Sequence, residues 1–186
     1  MTKKITEKQK LTLWQQRQEA NFYASFLLGG TPLQPGPEHP GLPHLQALHH
    51  ALFQDVLEDA GELRQVDIQL GDTPCCHFEY IEKEGNALMQ ALEDENGLAD
   101  LPLAELTGRL AWYYCELTVL HPFLKGNGRA QRMLFEQIII HAGFDIQWAK
   151  IDAESWRAAN QASLEGDLSL LTAAFGKVVS ERQESA

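Results

Sequence analysis

Apolar residues recur at helical spacing along most of the chain. Over residues 5–28, Leu11, Trp14, Phe22 and Phe26 stand close to a 3.6-residue period, and Gly29-Gly30 follows as a stop. One helix is expected there. From His44 the period resumes with Leu45, Leu48, Leu52, Val56 and Leu57, until Ala60-Gly61 ends it. Further helices are expected over 82–94, 102–119, 129–142, 153–162 and 167–181, set apart by Gly, Pro, Asp or Asn. Met133, Leu134, Phe135, Ile138, Ile139 and Ile140 leave the 129–142 segment apolar nearly all round, which predicts the central buried element.

Two stretches break the helical pattern. Residues 31–43, TPLQPGPEHPGLP, hold five of the chain's eight prolines, which fix φ and remove donors, so a semi-rigid connector is expected. It is not a domain boundary, because the residues ahead of it are too few to form a core alone. In VDIQLGDTPCCHFEYI, residues 66–81, β-branched and aromatic residues flank Gly-Asp-Thr-Pro, the pattern of a hairpin with a four-residue turn. The expected fold class is mostly α with one β-hairpin, as a single domain over 1–186: N-terminal helix and connector at 1–43, core at 44–181.

Composition narrows the function. A chain of 186 residues, 44% hydrophobic, is long enough to bury one sizeable core, and its net charge of −11 opposes binding to nucleic acid or an anionic membrane. No apolar run approaches the ~20 residues of a membrane span, and the start lacks a secretory segment, so a cytoplasmic location is expected. The three cysteines, with Cys75 and Cys76 adjacent, match neither a disulfide framework nor C-x-x-C, which suits a reducing compartment. The histidines at 39, 44, 49, 50, 77 and 141 form no H-E-x-x-H and are read as non-catalytic.

The candidate chemistry lies in HPFLKGNGRAQR, residues 121–132. Pro122 disfavours αR at His121 and is expected to push it to an extended conformation at a helix-to-loop junction. Phe123 is expected to anchor the loop in the core. Gly126 and Gly128 allow positive φ on either side of Asn127, so successive amides can line an anion nest at the positive end of the next helix. Arg129 and Arg132, three apart, can fork onto phosphate oxygens. A histidine beside bound phosphate can take a proton from an attacking hydroxyl, which points to phosphoryl or nucleotidyl transfer. Asn-Gly is also a hairpin turn, but helical periodicity on both sides excludes a hairpin here. The P-loop pattern G-x-x-x-x-G-K-[ST] is absent from the chain.

With those residues in view, HPFLKGNGRAQR resembles the signature of Fic domain proteins, H-x-F-x-[D/E]-G-N-G-R-x-x-R, at every fixed position but one. The resemblance extends to GLPHLQALHHALFQDVLEDAGELRQVDI, the hairpin and FEQIIIHAGFDIQW, and is nearest to small single-domain bacterial Fic proteins. It implies a Fic-type helical bundle with a hairpin flap over the active site, and transfer of AMP from ATP to a hydroxyl side chain of a target protein. On this analogy His121 is the base, Gly126, Asn127 and Gly128 hold phosphates, and Arg129 and Arg132 bind the β- and γ-phosphates. The flap, Val66-Asp67-Ile68-Gln69-Leu70-Gly71-Asp72-Thr73-Pro74-Cys75-Cys76-His77, would dock a target segment as an added strand.

The departure is Lys125, where the family has an acidic ligand for Mg²⁺. An ammonium repels the ion, by several kcal/mol at ~4 Å and an effective dielectric of about 20, so weakened metal binding and slow or absent transfer are expected, with Lys125 itself contacting phosphates. The Doc kinases of the superfamily replace the second glycine, which here remains Gly128. The inhibitory pattern [S/T]-x-x-x-E-[G/N] of many Fic proteins is not found, since Glu84, Glu95 and Glu165 follow Tyr80, Ala91 and Gln161. The resemblance therefore implies a toxin restrained by a separate small antitoxin that aims a glutamate at Arg132. An adenylyltransferase and an impaired nucleotide- or partner-binding module both remain open.

Overall fold

The computed structural model describes residues 37–182; the helix expected at 5–28 and residues 31–36 of the proline-rich connector lie outside them. Among the described residues the fold is mostly α, as expected, with six α-helices and two small antiparallel sheets. Helix α1 spans Leu42–Phe53 and starts with proline in its first turn, where a missing N–H costs nothing. The hairpin follows, β1 (Gln69–Leu70) and β2 (Thr73–Pro74), then α2 (Ile81–Asp94), α3 (Leu103–Leu120) and α4 (Asn127–His141). Strand β3 (Phe144–Ile146), α5 (Ala153–Leu164), α6 (Ser169–Val178) and β4 (Val179–Glu181) complete the order.

Three expected element boundaries need correction. Helix α1 stops at Phe53, short of Ala60, because the chain doubles back so that the Gly61 N–H can reach His49 Nδ1 at 2.8 Å. The hairpin turn is two residues, Gly71-Asp72, not four: Leu70 pairs with Thr73 and Gln69 with Pro74, and Gly71 takes φ 59°. The last helix ends at Val178, and Val179–Glu181 instead pair with Phe144–Ile146. Strands this short carry no readable alternation, and their pairing is non-local.

The core joins the inner faces of all six helices. Helix α3, rather than α4, is its hub, packing against α2, α4, α5 and α6. Helix α4 buries Ala130, Leu134, Phe135, Ile138 and Ile139 but leaves Met133 and Ile140 partly exposed, so it is not buried all round. Tyr114, Phe135, Trp156 and Phe175 form an edge-to-face aromatic cluster between α3, α4, α5 and α6. Near the loop, Gln131 Nε2 donates to the Tyr114 carbonyl at 2.6 Å and to the Thr118 hydroxyl at 3.0 Å. These bonds set the spacing of α3 and α4, whose facing ends carry the signature. No helix among the described residues is long and apolar enough to cross a membrane.

Candidate active site

Helix α3 ends at the signature loop and α4 begins from it. His121 caps α3 at φ 43°, ψ 64°, with its N–H donating to Leu117 O at 3.1 Å. It is therefore left-handed rather than extended: Pro122 does exclude αR, but the closing helical bond selects the αL cap instead. For a residue with a Cβ this conformation costs on the order of 1–3 kcal/mol and persists only where the surroundings impose it. His121 Nδ1 lies 3.2 Å from the Thr118 carbonyl, so Nδ1 carries the proton and Nε2 is the nitrogen that can accept one. Burial pulls the imidazole below its ordinary pKa, assisted by the positive charge of Arg64 and opposed by the Thr118 carbonyl. The neutral, basic form thus prevails at neutral pH.

Phe123 is 1% exposed and stacks on the His49 ring at 3.8 Å between centroids, the anchoring role expected of it. Asn127 closes the loop: its Oδ1 accepts from Phe123 N–H at 2.9 Å and its Nδ2 donates to Phe123 O at 2.7 Å. The loop thus engages the Asn127 oxygen and one of the two N–H groups on its Nδ2. Gly126 takes φ 81°, whereas Gly128 is an ordinary residue of the first turn of α4 and has no positive φ. The nest is therefore one left-handed glycine followed by a helix start, with the amides of Asn127, Gly128 and Arg129 lacking acceptors within the helix. A Cβ on Gly128 would sit 3.5 Å from Arg132 Nη1, which places that guanidinium beside the helix start. Arg129 is 8% exposed, and burial first, with the Arg132 charge second, draws its guanidinium down to about 10. Two such cations beside the N-terminus of α4 make a strongly electropositive helix end.

Lys125 is exposed. A divalent cation requires oxygen ligands, yet this position offers an ammonium, and its backbone carbonyl is engaged by His49 Nε2 at 2.8 Å. The residues at this position do not fit a magnesium site.

The hairpin is tied to its surroundings at the base. Cys76 N–H donates to Val119 O at 2.9 Å, and the Asp67 carboxylate accepts from His77 Nδ1 at 2.8 Å and from Phe78 N–H at 3.0 Å. Val66, Asp67, Gln69, Gly71, Asp72 and Pro74 are exposed, while Ile68, Leu70, Thr73, Cys75, Cys76 and His77 are partly buried. The three cysteines are free thiols, all raised in pKa by burial, and so are not activated nucleophiles.

Two residues that shape the site were missed by sequence reasoning. His49 had been grouped with the non-catalytic histidines, yet it is 1% exposed and lies between Gly61 and the signature loop. Because Gly61 N–H donates to its Nδ1, the proton sits on Nε2 and is given to Lys125 O; burial lowers its pKa accordingly. Its position four residues after Leu45, on the apolar stripe of α1, is the one signal that could have marked it. Arg64 is 2% exposed and gave no signal in the sequence.

The comparisons agree with this geometry. A family model described as Fic/DOC family matches residues 41–139, and one described as YhfG matches residues 3–51. "Probable protein adenylyltransferase Fic" of Escherichia coli K12 is 53% identical over 171 residues, 92% of this chain and 86% of that protein. The protein of the same name from Salmonella typhimurium LT2 is 52% identical over 163 residues, 88% of this chain and 82% of that one. In structure the chain is similar to the N-terminal Fic domain of a Bartonella quintana Bep effector, solved with bound ADP, with a TM-score of 0.82 at 22% identity, covering 98% of this chain and 90% of that one. The matching family model and these relatives, with the shared fold, show that the chain belongs to the Fic/DOC family.

Proposed function

We propose that the protein is a Fic-type protein adenylyltransferase, moving AMP from ATP to a hydroxyl side chain of a target protein. The observation that carries the reading is the conjunction, within residues 121–132, of an imidazole held as the Nδ1–H tautomer with an amide-lined helix start and two arginines. In the step, the target hydroxyl oxygen attacks the α-phosphorus and its proton passes to His121 Nε2. The bond from that phosphorus to the bridging oxygen breaks, and pyrophosphate leaves with the bonding pair. The amides of residues 127–129 and the Arg129 and Arg132 guanidiniums stabilise the charge on the leaving group. Residues 66–77 form the flap against which the target segment adds as a strand, bringing its hydroxyl to the base. The relatives' names and the ADP held by the Bartonella domain support the reading.

Lys125 sets the level of activity. It neutralises one phosphate charge but provides no metal ligand, so metal binding is weak and transfer slow. The same substitution favours a second reading, a module that binds nucleotide without transferring it. The 1–186 chain acts as a single unit in the cytoplasm, as a toxin held in check by a small protein whose glutamate pairs with Arg132.

The test is ATP binding with and without Mg²⁺, followed by incorporation of α-labelled AMP into protein, for the natural chain and for Lys125→Glu. Binding with gain of labelling in Lys125→Glu is the expected result. Binding with no labelling in either form favours the module, and no binding refutes both. Copurification with a small protein that is lost on Arg132→Ala tests the restraint.

A further inference from the structure

Arg64 sits where the stem of the flap meets the C-terminal end of α3. Its side chain is buried and its acceptors are all backbone carbonyls. Nε donates to His121 O at 2.8 Å and Nη2 to Leu120 O at 3.2 Å, two of the carbonyls that α3 leaves without helical partners. Nη1 donates to Val66 O at 2.7 Å, and Nη2 also donates to Cys76 O. Val66 and Cys76 are the outgoing and returning stems of the hairpin. The Arg64 backbone N–H adds a bond to Pro122 O at 2.9 Å. One guanidinium thus spans both stems of the flap and the peptide of the candidate base.

We infer that Arg64 is a positioning residue for the transfer reaction: its guanidinium fork holds His121 in the left-handed cap and fastens the flap to the same helix end, giving base and docking edge one frame. The role demands arginine. The carbonyls lie on different elements, and a planar fork with fixed N–H directions can serve all of them, whereas the three N–H groups of a lysine diverge from one point. The charge is matched by the negative end of the α3 dipole. The ionisable groups facing it are His121 on α3 and Asp67, Cys75 and Cys76 on the flap, and each feels its field. The left-handed His121 explains the need: a cap of this kind relaxes unless its carbonyl is held.

This inference rests on His121 being the base, and its first readouts do not depend on any substrate. His121 would be titrated by NMR through its ring Cε1–H, and amide exchange followed at Ile68 and Cys75 to Cys76, in the natural chain, Arg64→Gln and Arg64→Lys. In folded Arg64→Gln the His121 midpoint moves upward, because a nearby positive charge and its desolvation are removed, and flap amides exchange at least tenfold faster. Arg64→Lys keeps the charge without the fork: the midpoint stays near that of the natural chain while flap exchange remains fast. Labelling from saturating α-labelled ATP falls about 10²-fold in Arg64→Gln, with little change in KM for ATP. A folded Arg64→Gln with unchanged titration and unchanged exchange overturns the inference. Should Arg64→Gln fail to fold, Arg64→Lys decides by flap exchange, and failure of both to fold assigns the residue to folding alone and also overturns it. Absence of labelling in both the natural chain and Lys125→Glu, with the His121 shift still seen in Arg64→Gln, sinks the transferase reading and leaves the hold on His121 and the flap standing.

Discussion

Gly126→Ala isolates the geometry of the signature loop from its charges. At φ 81° a Cβ there would lie 2.5 and 2.8 Å from two ring carbons of Phe53 and 3.0 Å from His49 Nε2. The left-handed backbone alone costs a Cβ-bearing residue roughly 1–2 kcal/mol. Pushing a buried ring aside adds about 1–3 kcal/mol, since Phe53 is 2% exposed and has little room to move. The total, about 2–5 kcal/mol, would lower the melting temperature of a chain this size by roughly 6–12 °C at a central 3 kcal/mol. The displaced His49 would also release Lys125 O, so nucleotide affinity should fall together with stability. Urea unfolding followed by tryptophan fluorescence and an ATP titration on the folded variant measure both. A loss below about 0.5 kcal/mol with unchanged ATP affinity would refute the argument that Phe53 and His49 shape the nest.

Gly128→Ala should do the opposite to stability: it lies in the first turn of α4 with only an ordinary 3.5 Å neighbour, so alanine adds up to about 1 kcal/mol while its methyl obstructs the amides and weakens ATP binding. Equal effects of the two alanine variants on folding would contradict this. Asn127→Ala strands the Phe123 N–H and carbonyl in a buried loop and should cost about 2–4 kcal/mol in denaturant unfolding; a cost under 1 kcal/mol would mean water replaces the amide. Acid should destabilise the fold through His49 and His121. Both have folded pKa values below the unfolded one, so the unfolded state binds more protons. Their contribution is complete above the unfolded value of about 6.5 and is lost as pH falls toward the folded values. His77, raised by its hydrogen bond to Asp67, acts in the reverse sense, but its side chain is 41% exposed and the pair is screened by solvent, so its effect is weak. Urea midpoints from pH 7.5 to 5 should slope downward in the natural chain and less so in His49→Ala; parallel slopes would exclude His49 as a source.

The α2–α6 boundaries, apart from the last C-terminus, came within a few residues of the periodicity reading, because apolar spacing and Gly or Pro punctuation are local properties. The signature loop was equally legible, since its glycines, asparagine and arginines act on their own backbone or on neighbours a turn away. Where local reasoning failed, a distant partner had intervened. Pro122 excludes αR for His121, but the choice of αL over extended follows from the helix closing onto Leu117 O and from Arg64. Asn127 was legible as a loop residue, but not its clasp on both backbone groups of Phe123.

The amino-acid order by itself determined a helical chain with one hairpin and a glycine-punctuated loop that opens a helix, since those follow from side-chain spacing and backbone freedom within a few residues. The tertiary structure alone decided which imidazole nitrogen carries the proton, where the loop's carbonyls point and what joins the hairpin to His121. His49 reaches Lys125 across 76 positions and Arg64 reaches His121 across 57. A hydrogen bond fixes a tautomer or a carbonyl only once its donor is brought within about 3 Å, and at such separations that depends on packing of the whole core.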